Sequence, residues 1–157
     1  MSDNPNLTRA AIMSADPQQL RLWCAEYVMG YIAWEEKRGD YIYYIWQKPG
    51  EREPWFRSRN WEILKKNYTP AGPYNPRIHI QPQGSLPDFP SEIGAAWLVV
   101  EVVQVIKSKN QVSHPLTLQH EFWNELWRAD FGPFSAKGKT PSLAICRAAL
   151  IAVTGAE

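Results

Sequence analysis

The sequence predicts an α+β fold, and three observations carry that prediction. Helical periodicity marks stretches near 16–30, 91–107 and 140–153, strand-like aromatic and alternating segments lie between them, and a proline-rich irregular tract occupies the middle. A chain of 157 residues is long enough for one domain that buries about two-thirds of its unfolded surface. One domain is therefore expected over 1–157, with 1–15 as a mobile or loosely packed arm and 48–90 as an irregular insertion.

The first helix is announced by Asp16-Pro17-Gln18-Gln19, which has the form of a capping box with Pro at the first helical position. Leu20, Trp23, Cys24, Tyr27 and Val28 then fall on one stripe that ends near Gly30. WEEKRGD reads as a charged turn, and Tyr41–Gln47, YIYYIWQ, as a strand closed by Pro49-Gly50. The tract to Pro90 offers a short helical turn around Trp61–Lys66 and a second short strand at Arg77–Ile80. Ser91–Lys107 returns to helical spacing, with Ile93, Ala96, Trp97, Val100, Val103 and Ile106 or Lys107 expected on the buried face.

Beyond it, Leu116, Leu118, His120 and Phe122 alternate along one segment and Trp127, Ala129 and Phe131 along another. This predicts a β-hairpin reversing near Asn124, although FWNELW also suits a helical turn. Gly132–Lys139 reads as a flexible basic loop. It leads into TPSLAICRAALIAV, where Thr140 is a cap, Pro141 takes the first helical position, and Leu143–Val153 is apolar on all sides except at Arg147.

Arg147 is the anomaly, because a buried guanidinium needs a partner. Either Glu101, in a mostly apolar helix, or another internal carboxylate meets it, or an anionic ligand does. The start of its helix offers N–H groups and positive partial charge to a phosphate at Thr140–Leu143, with Arg147 two turns and about 10 Å further along. Lys137 and Lys139 add local charge, Phe122, Trp127 and Phe134 offer stacking faces for a base, and Asp130 offers an acceptor to an exocyclic amine.

Other chemistries find less support. Net charge is +1, too small for a global field that would hold duplex nucleic acid. His79, His114 and His120 are isolated, Cys24 and Cys146 read as buried packing residues of a reduced protein, and no metal-ligand spacing is visible. No phosphate loop, nucleophile elbow or paired-carboxylate signature appears, so an enzyme is not expected, and neither is a cofactor or metal. No membrane-length apolar run or signal peptide is evident, which leads us to expect a soluble intracellular protein. The 8 tryptophans either fill the core or meet a second copy or a planar ligand.

Four segments carry a family resemblance. TPSLAICRAALIAV resembles the ending TAPLAICRAALLA of the phage ABA sandwich domain family. Ala25–Gly30, AEYVMG, resembles its early AEKVMGW, Ala95–Val103, AAWLVVEVV, its central AAWxVVE, and Trp127–Phe131, WRADF, its W-x-A-x-F. The resemblance leaves out the N-terminal arm and much of the middle tract, and the order TPS stands here where TAP is usual.

That family includes the Thoeris anti-defence sponges, phage proteins that capture the cyclic ADP-ribose signal of a bacterial TIR-domain enzyme. The resemblance implies an antiparallel sheet flanked by helices, and a homodimer with ligand pockets at or near the subunit interface. It also implies further assembly into hexamers in some members, which bind cyclic oligonucleotides as well. It implies sequestration without hydrolysis, in the cytoplasm of the infected host. Of the candidate residues only Thr140 and Arg147, with the neighbouring Pro141, carry over by motif. The alternative expectation is a phage structural or protein-interaction domain without a small-molecule ligand.

Overall fold

The structure, a computed structural model, describes residues 7–54, 61–71, 86–109 and 115–157, with backbone alone for 105–109. The second strand expected at Arg77–Ile80, and His79 and His114, lie outside the described residues. The class is α+β, with two three-stranded antiparallel sheets rather than one. The chain divides into two compact units, one of residues 1–29 and 88–157 and the other of 30–87.

In the first unit, Thr8 caps α1 (Arg9–Ser14) by accepting the Ala11 N–H, and Ile12 is fully buried. These residues were expected to belong to a loose arm, yet a cap and one apolar anchor suffice to seat a short helix on its neighbours. Asp16 caps α2 (Pro17–Trp23) through the Gln19 N–H at 2.9 Å, as its capping box predicts. The helix then runs into a π turn, Cys24–Val28, closed by Met29 N–H to the Cys24 carbonyl. The buried stripe runs through Leu20, Leu22, Cys24, Ala25 and Val28, and Trp23 and Tyr27, expected on it, are only partly buried.

The buried face of α4 (Ile93–Lys109) is also rotated from expectation. Ala95, Ala96, Val99, Val100 and Val103 are buried, whereas Ile93 and Trp97, expected inside, are about half exposed together with Leu98. This helix is apolar on two sides, so periodicity alone does not choose between them. Packing does: α4 lies against α5 (Pro141–Thr154), whose Ala144, Ala148, Ala149 and Ala152 are buried, and small side chains let two helices approach closely. The side chains of Ile106 and Lys107 lie outside the description.

The hairpin predicted after α4 is present as β4 (Leu116–Glu121) and β5 (Leu126–Phe131), with Glu121 opposite Leu126 and the reversal at 122–125. Phe122 opens the turn instead of extending the strand. It and Trp123 are 77% and 93% exposed, their rings edge-to-face at 6.0 Å. GPFSAKGK is not a flexible loop. Gly132 and Pro133 make a two-residue turn, and Phe134–Gly138 forms edge strand β6, pairing Phe131 with Phe134 and Trp127 with Gly138. Lys137 disguises the strand because its side chain stands off the buried face.

Helix α5 is the centre of this unit. It packs on β5, β6, α4, α2 and α1, and Ile145, Leu150 and Ile151, each nearly or fully buried, contribute about 1.5–3 kcal/mol apiece. It ends at Gly155, whose φ of 67° is the left-handed cap that glycine tolerates best. Cys24 and Cys146 are both buried and free.

The second unit holds the sheet β2-β1-β3. The charged segment expected as a turn is strand β1 (Ile32–Arg38), paired with β2 (Tyr41–Gln47) across Gly39 and Asp40. Gly39, at φ 61°, supplies the positive angle that a tight hairpin turn needs at its first position. On one face Glu36 pairs with Arg38, whose guanidinium lies 5.2 Å from the Tyr43 ring, and Trp34 Nε1 donates to Gln47. A helical turn, α3 (Trp61–Leu64), appears where the sequence suggested one, followed by the short β3 (Thr69–Pro70). Trp61 meets Trp34 edge-to-face and Tyr68 at a tilt.

Candidate functional site

The site residues read from the sequence fall on different sides of the β4–β5–β6 sheet. Ala129, Phe131, Ala136 and Gly138 are buried toward α5, and strand alternation puts Trp127 and Phe134 on that same side. Asp130 and Lys137 have the opposite parity and stand on the outer face. Phe122 is at the hairpin tip, Lys139 is exposed between β6 and α5, and Thr140 and Arg147 belong to α5. Trp127 and Phe134 are thus grouped with the α5 residues, and Phe122, Asp130 and Lys137 are not.

The outer-face members are engaged with other side chains. Lys137 Nζ donates to Glu121 at 2.7 Å, and Arg128 Nε to Asp130 at 3.0 Å. The Lys137 contact, helped by the Asn124 amide, holds the Glu121 carboxyl below the ordinary glutamate range. Asp130 is therefore a paired carboxylate. Trp127 lies 4.9 Å from the His120 ring.

The start of α5 is more self-sufficient than an open helix end. Thr140 Oγ1 accepts the Leu143 N–H at 3.2 Å, its carbonyl accepts the Ala144 N–H at 3.1 Å, and Pro141 has no N–H to offer. Strand β6 also closes over it: a Cβ at Gly138 would lie 2.8 Å from the Ala144 nitrogen. Ser142 is itself buried, so the expected phosphate cradle at Thr140–Leu143 is mostly occupied by the chain itself.

Arg147 stands differently. It is half-buried, and Nη1 donates to the Lys137 carbonyl at 2.9 Å, while its buried Nε has no partner among the described residues. Glu101, the first carboxylate considered for it, is exposed on α4, and no ion pair joins the two. Burial lowers the Arg147 pKa from its usual value, with no carboxylate among the described residues to raise it, yet a guanidinium remains charged through neutral pH. The result is a half-buried cation held by a carbonyl.

Sequence reasoning missed Arg9. Its Nη2 donates to the Ser135 carbonyl at 2.6 Å, two residues along β6 from the carbonyl that Arg147 meets. The available signal was weak: Thr8 before an Ala-Ala-Ile run is a short capped helix, but nothing in it points to a strand 126 residues away.

Among the described residues, no group of three or more His, Cys, Asp and Glu side chains is placed to hold a metal ion. No described helix is long and apolar enough to cross a membrane. Compared with family models, with curated proteins and with solved structures, the chain matches none of them.

Proposed function

We propose that this chain is a binding protein of the phage ABA sandwich type that captures a cyclic ADP-ribose-type signalling nucleotide without cleaving it, and so blocks Thoeris immunity in the host cytoplasm. The observation that carries the reading is Arg147: a half-buried guanidinium, bonded to a main-chain carbonyl and to no carboxylate among the described residues. A cation so placed keeps most of its charge for a partner that arrives from outside, and phosphate is the anion whose geometry its fork matches best. Trp127 and Phe134, on the sheet face turned to α5, are the aromatic side chains the reading assigns to the base, with Thr140 and Lys139 at the start of the helix. Phe122 at the hairpin tip and the paired Asp130 and Lys137 on the outer face lie outside this arrangement, and the capture we propose is by a homodimer or hexamer.

The test is calorimetry with cyclic ADP-ribose and its isomers, followed by heating and chromatography of the released ligand. The reading expects binding and intact recovery. A new product in the chromatogram points to an enzyme instead, and the absence of binding to any cyclic nucleotide removes the proposal.

A second reading has its own support. The exposed Ile93, Trp97 and Leu98 on α4, and Phe122 with Trp123 at the hairpin tip, are large apolar groups of the kind found at protein interfaces. A structural or protein-interaction domain without a ligand expects Trp97→Ala or Trp123→Ala to change the association state while no nucleotide binds.

A further inference from the structure

We infer that Arg9 and Arg147 form a two-pronged phosphate site along the outer edge of β6, with Arg9 as its second cation. This inference rests on the nucleotide-binding reading above. The register of the hairpin supplies the geometry. A two-residue turn at Gly132-Pro133 makes Phe131 and Phe134 a hydrogen-bonded closing pair, and alternation then directs the main-chain groups of Ser135 and Lys137 away from β5. These are the two carbonyls that Arg9 Nη2 and Arg147 Nη1 reach, at 2.6 and 2.9 Å.

Carbonyls two residues apart on one strand edge are separated by about 7 Å. Guanidiniums anchored at that spacing can both reach one phosphate or diphosphate group through charge-assisted bonds of about 2.8 Å. Each guanidinium has five N–H donors and gives one to its carbonyl, so the anchoring bonds position the forks without exhausting them. No carboxylate side chain bonds either arginine among the described residues, whereas Arg38, Lys65, Arg128 and Lys137 each have one.

Arg9 is also held in place. Thr8 caps its helix, Ile12 is buried, α1 packs on α5, and the Arg9 N–H donates to the Glu157 main-chain oxygen at 3.1 Å. The pair is therefore pre-positioned by two helices and one strand. The ligand class it fits is a nucleotide carrying a diphosphate or closely spaced phosphates.

The experiment is calorimetric titration of cyclic ADP-ribose into the wild type, Arg9→Ala and Arg9→Gln at low and high salt, with thermal unfolding of each. Gln removes the charge while keeping a polar side chain, and the unfolding curves separate anion binding from support of the strand. The inference expects both variants to bind about ten-fold or more weakly with a flatter salt dependence. A folded Arg9→Gln that binds like the wild type, with the same salt dependence, overturns the inference and leaves the nucleotide-binding reading standing. A wild type that binds no cyclic nucleotide overturns both.

Discussion

On the outer face of the β4–β5–β6 sheet, Lys137 and Arg128 each meet a carboxylate, Glu121 and Asp130. Along the β6 edge, Arg147 and Arg9 meet main-chain carbonyls instead. The difference is one of compensation. An exposed ion pair cancels its own field and contributes little to stability, whereas a carbonyl dipole fixes a guanidinium while leaving its charge largely uncancelled. One sheet thus has a face whose charges are neutralised and an edge whose charges are held in position. In the proposed function a phosphate is drawn to the edge, so substitutions on the two sides should have unlike consequences.

The largest effect expected breaks the geometry that sets the edge. Gly138→Val forces a side chain onto the first turn of α5, where even a Cβ comes within 2.8 Å of the Ala144 nitrogen. It should destabilise the protein by about 1–3 kcal/mol or more in chemical denaturation. Next, Arg147→Met removes the edge cation but keeps apolar bulk. Affinity for cyclic ADP-ribose should fall about 10–100-fold, the equivalent of roughly 1.5–3 kcal/mol for a bond to a charged group, with little loss of fold stability. On the outer face, Lys137→Ala should leave that affinity within about three-fold, since its charge is already spent on Glu121.

A smaller effect sharpens the comparison through pH. The Glu121 carboxyl is held below its ordinary value chiefly by Lys137, so its small stabilising contribution is present above the unfolded pKa and is lost as pH falls through the folded one. Titration followed by NMR should show the Glu121 pKa rising toward the ordinary range in Lys137→Ala. Because this pair is exposed, nucleotide affinity at neutral pH should not follow.

Much of this architecture was legible in sequence, and the misses have physical causes. Caps and an all-round apolar run located α2 and α5 because helix ends have few chemical solutions. Alternation located the β4–β5 hairpin. Strands β1 and β6 were hidden by charged residues, Glu35-Glu36-Lys37-Arg38 and Lys137, whose side chains hydropathy scores as loop although a strand face can carry them in pairs. The buried side of α4 was undecidable locally, because two apolar sides compete and the alanines of α5 select between them. Arg147 was visible as a problem from the start. Its actual partner was not, since an edge carbonyl exists only once β6 is a strand, and Arg9 is invisible for the same reason.

The most direct test of the central claim is one calorimetric comparison of wild type, Arg147→Met and Lys137→Ala, each titrated with cyclic ADP-ribose, the bound ligand then being released by heat. The account predicts binding and intact release from the wild type and Lys137→Ala, and at least ten-fold weaker binding by Arg147→Met. Equal binding by Arg147→Met, or no binding by any of the three, contradicts it.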